Sequence, residues 1–271
     1  MKKNRKVVLI TGCSSGMGRE SAYYLSKNGY TVYAGSRTPE KLSDIASENL
    51  VPIALDITDQ NSVARAVQKL ERIDVLVNNA GYGLVSTVEE VSEAEMLRQF
   101  DVNLFGVLRM CKAVIPLMRR EKAGVIVNIS SFLGKIGLPL FTLYNASKYA
   151  LEGVTDSLRY ELRPFGIRVH SIMPGFFDTN FARDNLVVNE GIRKENSPYA
   201  QTVSQLLPLI LEQINHGNDA AQIAVMLHEI IQQSDAPARR TAGDKARKFI
   251  PMRRELSDED FERRVRSYYG I

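Results

Sequence analysis

The sequence has few of the features that mark secreted, metal-binding or membrane-spanning proteins. Its two cysteines, Cys13 and Cys111, share no metal-binding or redox spacing, and its three histidines are widely separated. Free thiols in a reducing compartment are the simplest account of this pattern. No apolar run approaches the roughly 18 residues of a membrane-spanning helix. We therefore predict a cytoplasmic protein with no transmembrane segment and no metal site.

Charge of one sign is not concentrated anywhere along the chain. The formal net charge is +4 at pH 7, and acidic side chains alternate with basic ones at helical spacings in the denser segment 247–269. Such alternation is typical of a solvated helix face. The pattern therefore predicts no nucleic-acid partner, and an anionic cofactor is the simpler explanation for the small positive excess.

Linkers, internal repeats and low-complexity segments are also missing, which favours one domain over residues 1–271. Short runs rich in Val and Ile alternate with helical segments, as in parallel sheets whose strands are covered on both faces. We predict an α/β fold: a single-domain Rossmann fold with a doubly wound, seven-stranded parallel sheet and helices on both faces. The predicted strands are 6–11, 31–36, 51–55, 73–79, 124–130, 167–173 and 239–242, and the predicted helices are 17–28, 59–71, 93–120, 146–163 and 219–233.

Two segments near the C-terminus depart from this alternation. Residues 176–215 contain a polar stretch followed by an apolar one. An insertion at this end of a parallel sheet is a typical position for a substrate lid. Residues 244–271 form a charged extension, with a helix predicted from about residue 257.

The first predicted strand runs into a glycine-rich turn, TGCSSGMGRE, in front of a helix. Glycines at such a turn let the backbone approach a pyrophosphate, whose charge the helix N-terminus favours. A tight strand-to-helix turn also favours glycine without any ligand, so the motif gains its weight from its position after the first strand. The residues of this candidate phosphate site are Gly12, Ser14, Ser15, Gly16, Met17 and Gly18.

The end of the second predicted strand indicates which dinucleotide is bound. An NAD site usually has an Asp or Glu there, but here Gly35 and Ser36 occupy the position and Arg37 follows. An acid would repel a 2′-phosphate, whereas an arginine pairs with it through a planar fork. We therefore predict NADP(H) as the cofactor in preference to NAD. An ordinary solvated arginine is the alternative interpretation.

Polar and small residues also follow the third and fourth predicted strands. Asp56 is placed to accept a hydrogen bond from the adenine amino group. Asn79, Ala80 and Gly81 form a small turn that would let the adenosine ribose approach. Each of these residues also fits a structural role as a helix cap or turn residue.

Tyr144 and Lys148 are one helical turn apart and supply candidate acid–base chemistry. Hydride transfer to a carbonyl needs an acid near neutral pH, and the reverse reaction needs the same group as a base. A neighbouring ammonium would lower the tyrosine pKa from about 10. Ser131, at the end of the fifth strand, would hold the substrate oxygen beside Tyr144. The alternative for Ser131 is a turn residue at a strand end.

Taken in order, these motifs resemble the classical short-chain dehydrogenase/reductase family. The resemblance spans residues 6 to about 180, and an ordered series of motifs is more specific than any one of them. The matching segments are Thr11–Gly18 (TGxxxGxG), Asn78–Gly81 (NNAG), Asn103 in DVNLFG, Ser131, Tyr144 and Lys148 in YNASK, and Pro174 and Gly175 with Thr179.

The resemblance implies a role for each matching residue. It implies that Tyr144 is the general acid/base and that Ser131 orients the substrate oxygen. Lys148 would bind the nicotinamide ribose and tune Tyr144. Asn103 would hold a water that links Lys148 to solvent, with a polar residue at a helix kink as the alternative. The further cofactor contacts implied are Pro174, Gly175 and Thr179.

Within the family, the chain is most similar to the branch of hydroxysteroid and retinol dehydrogenases. This similarity implies a small lipophilic carbonyl or alcohol as substrate. An apolar wall gives affinity but little discrimination, so the substrate itself is not predicted. The residues expected around the pocket are Phe132, Leu133, Ile136, Leu138, Leu140 and Phe141, with Tyr82, Leu84, Phe176 and Phe177 from neighbouring loops.

The family resemblance further implies a homodimer or homotetramer through helices near 103–120 and 147–163. The main alternative to an NADP-dependent oxidoreductase is a catalytically inactive dinucleotide-binding regulatory or scaffold protein of the same fold. Such proteins typically lack the tyrosine or the lysine, and both are present here. A nucleotide-sugar epimerase or dehydratase would need a longer chain.

Overall fold

The computed structural model describes residues 5–179 and 185–271. The strands in these ranges are β1 (Val7–Thr11), β2 (Thr31–Ser36), β3 (Leu50–Ala54), β4 (Val75–Asn78), β5 (Gly83–Val85), β6 (Gly124–Ile129), β7 (Ile167–Pro174), β8 (Phe177–Asp178), β9 (Leu186–Val188), β10 (Asn218–Asp219) and β11 (Arg239–Ala242). Seven of them form one parallel sheet in the order β11-β7-β6-β4-β1-β2-β3, which confirms the predicted sheet.

The helices complete an alternating α/β arrangement. They are α1 (Gly16–Lys27), α2 (Gln60–Gln68), α3 (Glu93–Phe100), α4 (Gly106–Glu121), α5 (Thr142–Leu162), α6 (Ala200–Asn215), α7 (Ala221–Gln232), α8 (Gly243–Glu255) and α9 (Asp258–Tyr269). Over the two described ranges, none of the helices has the length and apolar character that crossing a membrane requires. Those ranges also contain no cluster of three His, Cys, Asp or Glu side chains suited to a metal ion.

The sheet is buried on both faces because most of its strands, such as β1, β4 and β6, are apolar runs. In β1, Val8 and Ile10 face a core shared with α1 and α7, whereas Leu9 faces a second core shared with α2, α4 and α5. All three side chains are fully buried. Removal of such side chains from water is the main force that holds helices on both faces. The fold is therefore a single Rossmann-like domain.

The strand order reverses at β1, and this reversal determines where a ligand-binding crevice opens. Strands β2 and β3 lie on one side of β1, and β4, β6, β7 and β11 lie on the other. The connections that leave the carboxyl ends of β1 and β4 therefore diverge and open a crevice, which is the usual ligand position in such sheets.

The segment predicted as one helix over residues 93–120 is interrupted. Ser92 and Glu95 form a capping box at the start of α3. A π-helical turn, Asp101–Phe105, then separates α3 from α4 and carries the buried Asn103. Helical periodicity continues through this turn, so the sequence pattern did not show it. Such π turns are frequent at functional sites.

The C-terminal half of the chain contains the larger departures from the prediction. Helix α5 begins at Thr142 rather than at residue 146, so Tyr144 lies inside it. Helix α8 was not predicted, because its sequence is highly charged and contains Pro251. Its buried stripe joins a third apolar cluster, which also contains residues of α6, α9 and the segment after β6.

Candidate active site

A cleft of about 1460 Å³ follows the carboxyl ends of the central strands. Most residues that the sequence assigned to the cofactor line this cleft. They are Gly12, Ser14, Ser15, Gly16, Met17, Gly18, Arg37, Asp56, Asn79, Ala80, Gly81, Tyr144, Lys148 and Thr179. Pro174 and Gly175 line a smaller cavity beside it.

The glycine turn brings bare backbone to the floor of the cleft. Gly12 has a φ of +72°, a conformation that is strained for residues with a Cβ. A Cβ at this position would lie 2.7 Å from the Cα of Ala80. Helix α1 begins at Gly16, and the side chain of its N-cap residue, Ser15, makes no capping hydrogen bond. Its N-terminus therefore offers backbone N–H groups and the positive end of a dipole to an anion.

Polar groups after β4 hold this turn in place. The Asn79 Nδ2 donates to the carbonyl oxygens of Thr11 (2.9 Å) and Gly12 (3.0 Å). The Thr11 hydroxyl accepts from the backbone N–H groups of Asn79 and Ala80, both at 3.0 Å. The Asn79 amide thus fastens the glycine turn to β4, whereas Ala80 and Gly81 leave space in the cleft.

The end of the cleft at β2 is cationic. Arg37 and Lys41 lie there together with Arg19. Arg19 is paired with Asp44, and it donates to the carbonyl oxygen of Lys41 at 2.8 Å. Strand β2 itself ends in Ser36 rather than in a carboxylate. The charge at this end therefore suits an anionic group.

Asp56 lies beside the same end of the cleft. Its Oδ1 accepts from the backbone N–H of Thr58 at 2.9 Å and from the Thr58 hydroxyl at 2.7 Å. Burial acts to raise the pKa of Asp56, but these hydrogen bonds and the charges of Arg37 and Arg109 together hold it below its ordinary value. Asp56 is therefore an ionised acceptor at neutral pH.

Ser131, Tyr144 and Lys148 converge where the cleft meets the smaller cavity. Ser131 caps the 3₁₀ turn after β6, and its Oγ accepts from the N–H of Leu133 at 3.1 Å. Ser131 and Tyr144 both line the smaller cavity. The Lys148 Nζ lies 5.7 Å from the centre of the Tyr144 ring and donates to the carbonyl oxygen of Ile129 at 2.9 Å.

Burial governs the protonation of both titratable groups. It raises the pKa of Tyr144 to about 12, and the Ser131 side chain offsets part of this rise. Burial lowers the pKa of Lys148 to about 8, and the charge of Glu152 opposes that fall. The sequence led us to expect a lowered pKa for Tyr144, and this direction was wrong. Loss of solvation of the phenolate outweighs the opposing effect of the Ser131 side chain.

Asn103 lies behind these residues on the π-helical turn. Its Nδ2 donates to the Tyr82 carbonyl oxygen (2.9 Å) and the Ser147 hydroxyl (3.1 Å), and its Oδ1 accepts from the Tyr82 N–H (3.0 Å). A Cβ on Gly81 would lie 3.2 Å from the Asn103 Oδ1 and 3.7 Å from the Lys148 Nζ. Asn103 therefore stabilises the helix interruption and also faces Lys148 across Gly81.

The smaller cavity has a volume of about 60 Å³ and adjoins the cleft at Tyr144. Ser131 is on its polar side. Its other walls are Phe132, Leu133, Phe141, Phe176 and Phe177, all predicted, together with Met17, Pro174, Gly175, Thr179 and Ile214. Ile214 comes from α6 and was not predicted, because one apolar residue in an apolar helix carries no distinguishing signal.

Four residues predicted for the pocket wall line neither of these two cavities. They are Leu84, Ile136, Leu138 and Leu140, each no more than 5% exposed. The loop before α5 turns inward at Leu140, which has a φ of +66° and whose carbonyl oxygen accepts from the Ser86 N–H at 2.8 Å. Its side chains therefore pack into the third apolar cluster. Tyr82 lines the larger cleft instead.

The fold and the site together define a class of protein. A glycine turn at the switch point of a doubly wound sheet, with a serine, a tyrosine and a lysine beside it, is typical of dinucleotide-dependent oxidoreductases. The model of the short chain dehydrogenase family matches residues 6–187. The chain therefore belongs to the short-chain dehydrogenase family of oxidoreductases.

Individual relatives match nearly the whole chain. A 3-ketodihydrosphingosine reductase from Bacteroides thetaiotaomicron is 35% identical over 274 residues, which cover 98% of this chain and 98% of the relative. The crystal structure of a short-chain dehydrogenase from Streptomyces avermitilis is 33% identical with a TM-score of 0.83, covering 99% of this chain and 97% of that one. A short chain dehydrogenase from Burkholderia cenocepacia, solved in complex with NADP, is 26% identical with a TM-score of 0.77, at 98% and 99% coverage.

Proposed function

We propose that this protein is an NADP(H)-dependent oxidoreductase that transfers a hydride between nicotinamide and a small lipophilic carbonyl or alcohol. The observation that carries the proposal is the position of Ser131 and Tyr144, which line one apolar cavity where it joins a polar cleft. At this junction, a carbonyl group held in the cavity meets both the cleft and a proton donor. Hydroxysteroid-like, retinoid-like and other lipophilic ketones or aldehydes fit this chemistry.

Tyr144 is the proposed general acid/base. When bound, the nicotinamide supplies the hydride. The Ser131 and Tyr144 hydroxyls hold the substrate oxygen, and Tyr144 donates its proton to that oxygen. Because burial raises the pKa of Tyr144 to about 12, the phenol is protonated at neutral pH. This protonation state suits reduction better than oxidation.

Lys148 and Asn103 have supporting roles in the proposal. Lys148 binds the nicotinamide ribose, and Asn103 holds a water through which a proton reaches solvent. The approach of these two side chains across Gly81 supports the assignment.

The preference for NADP(H) over NAD rests on the β2 end of the cleft. Arg37 is proposed to pair with the 2′-phosphate, with Lys41 adding positive charge beside it. Asp56 accepts from the adenine amino group. The glycine turn binds the pyrophosphate, and Pro174, Gly175 and Thr179 lie on the nicotinamide side.

Residues 176–215, of which 180–184 lie outside the described residues, are proposed to be the substrate lid, and the finding of Ile214 in the cavity wall supports this. Strand β9 pairs with β5 and tethers the segment beside the cleft. A homodimer or homotetramer through α4 and α5 is favoured by exposed apolar side chains there, such as Leu108 and Tyr160. The buried free thiols Cys13 and Cys111 favour a cytoplasmic setting.

The test is to mix the purified protein with NADPH or NADH and a panel of lipophilic ketones, aldehydes and quinones, and to follow the loss of cofactor absorbance. The name of the Bacteroides relative makes 3-ketodihydrosphingosine the first compound to try. Tyr144→Phe should lower kcat by about 10²- to 10⁴-fold and leave NADPH binding intact.

Tyr149→Phe is a matched control, because Tyr149 lies on the same helix and is 45% exposed. Turnover that persists in Tyr144→Phe would refute the assigned acid. NADPH binding with no turnover of any compound would favour the inactive regulatory protein instead.

A further inference from the structure

Glu152 is a buried carboxylate that has no role in the reaction proposed above. It lies on α5 one turn beyond Lys148, just as Lys148 lies one turn beyond Tyr144, so the three side chains follow one stripe of the helix. Only 3% of the Glu152 side chain is exposed. An ionised carboxylate at this depth is costly unless other groups pair with it.

Three groups from separate parts of the fold meet Glu152. The Arg239 Nε of β11 donates to its Oε2 at 2.6 Å, and the Ser171 hydroxyl of β7 donates to its Oε1 at 2.5 Å. The Lys135 Nζ, at the end of the turn after β6, lies 3.5 Å from its Oε2. The Glu152 carboxylate thereby joins two strands and that turn to α5.

The turn that carries Ser131 rests directly on this part of α5. A Cβ on Gly134 would lie 3.0 Å from the Lys148 carbonyl oxygen and 3.1 Å from the Glu152 Cγ. No side chain fits between the turn and the helix at this point. A change at Glu152 is therefore transmitted both to Ser131 and to Lys148.

Glu152 also supplies negative charge near the buried Lys148 ammonium. The other charged groups around the pair are Lys135, Arg239 and Asp156. Arg239 pairs with both Glu152 and Asp156, because its Nη2 donates to the Asp156 Oδ1 at 2.6 Å. Burial lowers the pKa of Lys148, and the Glu152 charge is what opposes this.

We propose that Glu152 is a positioning residue, whose carboxylate holds the Ser131 turn against α5 and keeps Lys148 protonated during turnover. The inference rests on the proposed function and adds to it a residue outside both cavities. Tyr144, the other titratable group on the stripe, lines the smaller cavity together with Ser131.

The decisive variant is Glu152→Gln, which keeps the shape of the side chain and removes its charge. We expect the alkaline limb of the kcat/KM profile to move to lower pH by roughly one unit, because Lys148 then loses its proton more easily. The pH dependence of NADPH binding, measured by fluorescence, should move in the same direction.

Asp156→Asn is the matched control. This substitution also removes a carboxylate that pairs with Arg239. The Asp156 side chain, however, is 51% exposed and lies two turns beyond Lys148. The thermal unfolding temperature of Asp156→Asn should fall, while the pH profiles of kcat/KM and of NADPH binding stay unchanged. A merely structural role for Glu152 predicts that the two variants behave alike.

Identical pH profiles for the native protein and folded Glu152→Gln would overturn the proposal. If Glu152→Gln does not fold, Glu152→Asp replaces it, and a smaller shift in the same direction is expected; no shift would overturn the proposal. The binding profile separates this inference from the proposed function. If the native protein reduces no compound and the NADPH-binding profile of the variant still moves, the assigned reaction fails and the role of Glu152 stands.

Discussion

The proposed cofactor cleft and the proposed substrate cavity meet at Tyr144, but they are built in different ways. The cleft consists largely of strand ends and the short turns that follow them, with exposed backbone and polar groups. The cavity consists of apolar side chains from the loop before α5, the loop after β7, and α6. Its wall is supported from behind, since the Phe132 ring lies 5.3 Å from that of Phe176 and 6.4 Å from that of Phe249 in α8.

This difference indicates which substitutions each half of the site tolerates. Backbone that must approach a ligand closely has no room for an added atom, as Gly12 shows. An apolar wall accepts changes of shape as long as its volume is kept. Substitutions in the cleft should therefore have larger effects on binding than substitutions behind the cavity.

The largest effect is expected from Gly12→Ala. The new Cβ would lie 2.7 Å from the Cα of Ala80, at a φ of +72°. NADPH affinity, measured by fluorescence titration, should fall at least about tenfold, which corresponds to about 1.4 kcal/mol. Gly29→Ala is the control, because Gly29 has a φ of +89° with nothing within 4 Å of its Cβ position. Equal losses in both variants would show that backbone strain alone is responsible.

Arg37→Ala should have an effect of similar size on NADPH affinity. A hydrogen-bonded ion pair with a phosphate is worth about 1.5–3 kcal/mol, so NADPH should bind roughly tenfold more weakly or worse. NADH, which lacks the 2′-phosphate, should bind nearly as before. Arg65→Ala, at an exposed arginine of α2, controls for the loss of surface charge. Equal losses for both cofactors would mean that Arg37 does not recognise the 2′-phosphate.

Lys148 lies where the two regions meet. Lys148→Met tests how its titration changes the free energy of unfolding. The pKa of Lys148 is lowered from 10.5 to about 8, so between these values the unfolded chain binds more protons than the folded one. Native stability due to this group therefore rises as the pH rises from about 8 to 10.5. The variant lacks this gain, so its stability relative to the native protein should fall by up to about 3 kcal/mol across that range.

Urea unfolding on either side of this pH range measures the difference. Lys112→Met, at an exposed lysine of α4, is the control and should show no such pH dependence. A constant difference between Lys148→Met and the native protein would mean that Lys148 does not titrate in this range.

The smallest effect is expected behind the cavity, from Phe249→Leu. Loss of the ring that supports Phe132 should change the substrate KM a few-fold and lower stability by about 1 kcal/mol. NADPH affinity should stay the same, and isothermal calorimetry can show this. Tyr268→Leu removes the neighbouring ring, which is 38% exposed, and should leave KM unchanged. A loss of NADPH affinity in Phe249→Leu would show that the two halves are not independent.

Most of the sheet was predictable because most of its strands are local apolar runs, although β11 is not one. The predicted bounds of all seven main strands lie within two residues of those in the structure. The π-helical turn at Asp101–Phe105 was missed because the apolar spacing continues through it. Helix α8 was missed because a charged segment shows only a narrow apolar stripe, at Ala246, Phe249 and Ile250.

The candidate site shows the same division. Motif spacing predicted which residues line the cofactor cleft, because those residues follow strand ends directly. Of the ten residues expected around the pocket, five line the smaller cavity, since a run of apolar residues in a loop does not show which of them turn inward. Ile136 and Leu138 turned inward, whereas Phe132 and Phe141 face the cavity.

The sequence by itself determined the order of the elements, the family, and the polar residues that follow each strand, because all of these depend on neighbours in the chain. Only the tertiary structure decided the direction of the Tyr144 pKa shift, the apolar side chains that face the substrate, and the position of Glu152 behind Lys148. Burial and charge at those points come from segments that lie far apart in the sequence, such as β11, the turn after β6 and α8.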